Sequence, residues 1–108
     1  MSQSSHDIEI RKDSCRSHCY HVRVSHVSGT RTHHVVCTPP DFVARCGVDS
    51  TNSDSVEALI RRSFIFLLKR EQQGDILNQF SLSDIELYHS DYIAYITKEA
   101  APSRVSVL

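Results

Sequence analysis

Along residues 54–73, DSVEALIRRSFIFLLKREQQ, the apolar positions Val56, Leu59, Ile60, Phe64, Leu67 and Leu68 recur at helical spacing, where a strand of this length would alternate. The spacing predicts a central helix, with Ser63 on the same stripe. Asp54 is placed to accept from the free amides of the first turn, and Glu57 three residues later completes a capping box. Gly74 marks the end, since it takes a left-handed conformation without a Cβ clash. Ile65 and Phe66 fall off the stripe and require cover from a second layer or a second subunit.

Before this helix the pattern changes to period two. From His18 onward it predicts a β-hairpin turning at Ser28-Gly29, read as a two-residue loop. Counting outward pairs Val24 with His33, Val22 with Val35 and Tyr20 with Cys37. Tyr20, Val22, Val24, Val35 and Cys37 then face the helix, and His21, Arg23, Ser25, Thr32, His34 and Val36 face water. The alternation of Ile8 and Ile10 adds a short strand at the start. Thr38-Pro39-Pro40-Asp41 is a helix-start signature, with Thr38 as cap, Phe42, Val43 and Cys46 inward and Gly47 ending the turn. A polar linker at 49–53 leads to the central helix.

Beyond Gly74, Asp75 is read as the cap of a turn bearing Ile76, Leu77 and Phe80. Ser83 and Glu86 are read as a capping box ahead of Ile85, Leu87 and Tyr88. Tyr92, Ile93, Tyr95 and Ile96 continue into another helical turn. The fold class expected is α+β, an antiparallel β-hairpin or small sheet packed on a central α-helix with short flanking helices. It forms one domain over 1–108, in which 1–6 and 98–108 are loosely ordered tails and Val105, Val107 and Leu108 are candidates for an added strand.

The run SVEALIRRSFIFLLKREQQGDILNQFSLSDIELYHSDY resembles the second half of a family of small bacterial proteins with no assigned function. In that family a helix ending in an LLxRE-type motif precedes ILxxF and a short terminal helix. Leu67, Leu68, Arg70, Glu71, Ile76, Leu77 and Phe80 carry the resemblance here, and with the preceding hairpin and short helix it spans residues 20–92. It implies a packing layout and brings no catalytic or binding residue with it.

The formal charge of -1 over 108 residues argues against a protein that seeks nucleic acid or a membrane surface through a basic excess. The distribution is uneven. Before Asp49, Arg11, Lys12, Arg16, Arg23, Arg31 and Arg45 face Asp7, Glu9, Asp13 and Asp41, and six of the seven histidines lie there. Residues 1–6 are polar and lack the pattern of a secretory leader. No apolar stretch approaches the roughly 18 to 20 residues of a membrane span. The expectation is therefore a cytoplasmic protein whose Cys15, Cys19, Cys37 and Cys46 are thiols.

Cys15, His18, Cys19 and His21 have the donor chemistry of a zinc site, but their spacing is not that of two separated ligand pairs. Completion would need His33 or Cys37, and the register above sets Cys37 on the opposite face from Cys19 and His21. No metal or cofactor is expected. Gly29, Gly47 and Gly74 all punctuate turns, so none is left for a phosphate-cradling loop, and there is no Gly-x-Ser-x-Gly elbow. Cys37 and Cys46 are placed on core faces, unlike a catalytic thiol. Arg61, Arg62, Lys69 and Arg70 read as the solvated side of the central helix.

No catalytic, cofactor-binding or metal-ligating residue is assigned. The reading is a non-catalytic cytoplasmic protein-interaction module, acting on a protein partner or by self-association through Ile65, Phe66, Tyr88, Tyr92 or Tyr95. The alternative is weak binding of nucleic acid or an anionic ligand by His21, Arg23 and His34 on the open face of the hairpin.

Overall fold

The computed structural model describes residues 6–100, with side chains through residue 97. The strands β1 (His6–Lys12), β2 (Cys19–His26), β3 (Arg31–Cys37) and β4 (Gln79–Ser81) form one mixed sheet in that order. The first three are antiparallel neighbours, and β4 joins β3 in parallel. Four helices, α1 (Pro40–Arg45), α2 (Ser53–Arg70), α3 (Leu82–Tyr88) and α4 (Tyr92–Ala100), complete an α+β fold. His6 opens β1 and the backbone of 98–100 ends α4, within the spans expected as tails. The proposed strand at Val105, Val107 and Leu108 lies outside the described residues.

The hairpin register differs from the expected one by one residue. Val22 pairs with His34 and Tyr20 with Val36, while Cys19 is opposite Cys37. The loop holds three residues, because His26 and Thr30 already pair through an amide-to-carbonyl bond of 2.8 Å. Gly29 takes φ 103° and donates its amide to the His26 carbonyl, the geometry of a three-residue hairpin whose last position is left-handed. A slip of one residue exchanges the two faces of a strand. His34 and Val36 therefore turn inward, and His33, Val35 and Cys37 turn outward.

The inner face of the sheet packs on α2. Val22, Val24 and Val36 are fully buried beside Leu59, Ile60 and Phe64, and Leu67 is buried further along the same stripe. Ser63 sits among them without leaving a polar group unpaired: its hydroxyl donates to the Leu59 carbonyl at 2.8 Å and accepts from the Tyr92 hydroxyl at 2.5 Å. Burial pushes the Tyr92 phenol well above its ordinary range. Phe66 receives its cover from within the chain, with its ring 5.3 Å from that of Tyr92 and 5.0 Å from that of Tyr95. Phe42 of α1 also stacks on Tyr92, at 6.1 Å. The second layer is α4, so Phe66 and Tyr92 are core residues.

Several caps lie elsewhere than expected. Asn52 caps α2 by accepting the Ser55 amide at 3.1 Å, and the helix ends at Arg70 with an extended Glu71. Gly74 lies in a 3-10 turn at Gln73–Asp75, whereas Gly47 does take the left-handed conformation expected of it, at φ 79°. Thr38 donates to the His18 carbonyl instead of capping α1. The capping box at α3 is formed by Ser81 and Asp84. On the exposed side of α2, Arg61 donates to the Ile8 carbonyl at 2.7 Å, and Arg70 pairs with Asp91 while its guanidinium lies over the Phe66 ring.

Candidate functional site

Two surfaces are built by this fold. The first follows from the way α2 ends. After Arg70 the chain folds back, and the buried Gln73 pins the turn to the sheet, its side-chain amide donating to the Val24 carbonyl at 3.0 Å and to the Thr32 hydroxyl at 2.8 Å. His34 donates from Nδ1 to the Leu77 carbonyl at 2.7 Å, so its Nε2, 2.9 Å from the Thr32 hydroxyl, is the acceptor. With the imidazole neutral, Thr32 accepts from Gln73 and donates to His34, a one-way chain. Burial lowers the His34 pKa in agreement with that, and the nearby His33 adds to the effect.

Held by these bonds, Ile76 turns into the core and Leu77 turns out, 56% exposed. The Ser81 cap then starts α3, which buries Leu82 and Ile85 and leaves Leu87 and Tyr88 exposed at 80% and 72%. Between α2, the turn and α3 lies an open cleft of about 270 Å³, floored by Leu67, Ile76, Phe80 and Ile85 with Leu77 and Tyr88 at its mouth. Its rim carries Glu71, Asp75 and Asp84. His89 closes one end, with Nε2 3.0 Å from Glu71 and its ring edge-on to Phe66.

The second surface is the outer face of the sheet, which the described helices leave open. Asp13, just past β1, accepts the amides of Cys15 and Arg16 at 2.7 and 2.8 Å on Oδ1 and His21 Nε2 at 2.8 Å on Oδ2. The Arg16 and Cys15 amides, aided by His21 and the Arg16 charge, hold its carboxyl at about 2. His21 Nδ1 lies 3.0 Å from His33 Nε2, and the two rings are nearly parallel. Arg23 is on the same face, 3.6 Å from Glu9. His34, expected here, is instead fully buried, and His33 takes its place.

Cys19 and Cys37 are directly opposite, their Cα atoms 4.0 Å apart, and are joined by a disulfide. This corrects the expectation of four thiols and the placement of the two residues on opposite faces. Cys15 is an exposed thiol, and Cys46 is buried with its thiol pushed up to about 11, chiefly by desolvation. His18 sits at the end of the β1–β2 loop with φ 62°. Cys15, His18, Cys19 and His21 therefore do not gather, and among the described residues no three His, Cys, Asp or Glu side chains are grouped to hold a metal ion.

Sequence reasoning missed Asp13 and His33 as members of one cluster. The available signal was Val27-Ser28-Gly29 itself, since glycine at the third loop position marks the three-residue turn that sets this register. Of the apolar anchors named from sequence, Phe66 and Tyr92 are buried, Ile65 and Tyr95 are partly buried, and Tyr88 alone is exposed. No helix among the described residues is long and apolar enough to cross a membrane. No family model matches the chain, nor does any curated protein or solved structure.

Proposed function

We propose that the chain is a non-catalytic protein-interaction module that takes a short basic segment of a partner, anchored by one large apolar side chain, in the cleft between α2 and α3. The observation that carries this reading is the pairing of an apolar floor and the exposed Leu77 and Tyr88 with a rim of three carboxylates. Clefts with apolar floors and a few placed charges suit side-chain anchors, and aromatic residues such as Tyr88 dominate interface energetics. Acidic rim groups favour a partner bearing lysine or arginine and disfavour an acidic one. A cytoplasmic setting goes with the reading only where reductants open the Cys19–Cys37 bond, which thiol trapping in fresh lysate decides.

The test is selection from a random displayed-peptide library against wild-type protein and against Tyr88→Ala. Enriched peptides should share an aromatic or leucine flanked by basic residues, and Tyr88→Ala or Asp75→Lys should weaken them by about tenfold. Enrichment of acidic peptides, or equal binding to all three proteins, would overturn it. Sedimentation of the wild type alone covers the remaining outcome, a second copy of this chain in the cleft.

A further inference from the structure

The outer face of the sheet carries a second arrangement, independent of the cleft. An exposed histidine on a strand ordinarily samples several rotamers; here Asp13 fixes the His21 ring and His21 in turn fixes His33, the way an outer hydrogen bond fixes a working imidazole. Asp13 is itself immobilised by two backbone amides and is almost covered, its side chain only 9% exposed. Because its carboxylate takes the proton on His21 Nε2, a neutral His21 offers Nδ1 as acceptor and His33 supplies the bridging N–H. The neutral pair thus carries two N–H protons, and a third, on His33 Nδ1, makes it a cation beside Asp13.

Arg11, Lys12 and Arg23 stand around this pair with Ser14 and Glu9 and bound an open groove of about 400 Å³. Glu9, the one carboxylate in that wall, is occupied by Arg23 at 3.6 Å. Neither Arg11 nor Lys12 forms an ion pair with a described residue. Three permanent cations and the histidine pair thus stand against two described acids, Glu9 paired with Arg23 and Asp13 bonded to His21, on strands whose register keeps them in place. Guanidinium groups present forked donors that match tetrahedral oxyanions, the Ser14 hydroxyl adds a donor from another direction, and His33 Nδ1 becomes a donor in the imidazolium form of the pair.

We infer that this groove is a binding site for a small oxyanion, a phosphate or the phosphate monoester of a small molecule, held by Arg11, Arg23 and the His21–His33 pair. The groove is larger than a bare phosphate requires, which leaves space for the organic part of an ester. A nucleic-acid strand fits less well. The outer face is not a basic stripe, since Asp7 and Glu9 lie along β1, and the whole chain carries a formal charge of -1.

The experiment is calorimetric titration of the full chain at low salt with sulfate, inorganic phosphate, adenosine monophosphate and a short single-stranded oligonucleotide. Sulfate keeps its charge between about pH 6 and about pH 8, so a change in its affinity across that interval reports on the protein, where histidine titrates. The expected result is one saturable site, tighter for sulfate at the lower pH and tighter for the monoester than for phosphate. His33→Ala and Arg23→Gln should each weaken sulfate by about tenfold with unchanged melting temperature. Absence of saturation with every small anion would overturn the inference. So would equal binding and equal pH profiles in wild type and His33→Ala, or an oligonucleotide that binds most tightly and is indifferent to Arg23→Gln.

Discussion

The two faces of the same strands treat neighbouring histidines in opposite ways. His34 points inward, where it is fully buried against Phe64 and both ring nitrogens are committed within the protein. His33, one residue earlier, points outward to a solvent-facing relay anchored on Asp13. Identical side chains become a buried strut or a surface hydrogen-bonding group according to strand parity alone. The inner face supplies stability; the outer face, spared that duty, is where polar groups can be arranged for a ligand.

The largest expected contrast is between truncations on the two faces. Phe64→Ala empties a fully buried ring position and should cost about 3 to 5 kcal/mol, whereas His33→Ala should stay within about 0.5 kcal/mol as a surface change. Urea midpoints for the two variants measure it, and comparable losses would erase the distinction between the faces. Next is the disulfide, which closes a separation of 18 residues. Replacing Cys19 and Cys37 together by serine should cost about 3 kcal/mol on the chain-entropy estimate. An unchanged midpoint in the double variant, or no response of wild type to dithiothreitol, would show that the strands need no such tie.

The smallest effect concerns pH. The folded-state pKa of His34 is lowered from 6.5, so the unfolded chain binds more protons in the interval below that value. Its contribution to stability is therefore fully present above 6.5 and lost as pH falls through that interval toward the folded pKa. His6, lowered mainly by desolvation and also by His26, acts with the same sign. Asp13 acts in a separate window, contributing above 3.8 and losing that contribution as pH falls toward about 2. Denaturation between about pH 5 and about pH 7 should show stability rising with pH, with a shallower rise in His34→Gln. An equal rise in that variant would remove His34 from the account.

The central helix was legible because helical periodicity is local: Val56 to Leu67 report their own face. The hairpin register was not, and apolar counting pointed the wrong way. The expected register buries Val35 and Cys37, while the observed one buries Val36 and admits His34. That exchange is tolerated because Leu77, Thr32 and Gln73 satisfy the imidazole and the hydroxyl beside it. Two of those partners lie some forty residues away in sequence, beyond any pattern in the hairpin. β4 was missed for the same reason, since Gln79–Ser81 is only three residues long and gains its identity from β3. Asp13 could be read as part of a turn, but its juxtaposition with His21 emerges only when β1 and β2 pair.

Arg61 has a consequence for how copies of the chain coexist at high concentration. Asp13 gives its amide to the Cys19 carbonyl, so by strand alternation the odd-numbered residues of β1 bond to β2 and the amides and carbonyls of Ile8 and Ile10 point away from it, along the edge of the sheet. An unoccupied edge is a template for a foreign strand. The guanidinium seated on the Ile8 carbonyl takes the middle of that template and places a fixed positive charge across it. An incoming strand must displace an internal hydrogen bond before its own can form, which makes the helix that organises the core also a guard against sheet-to-sheet polymerisation.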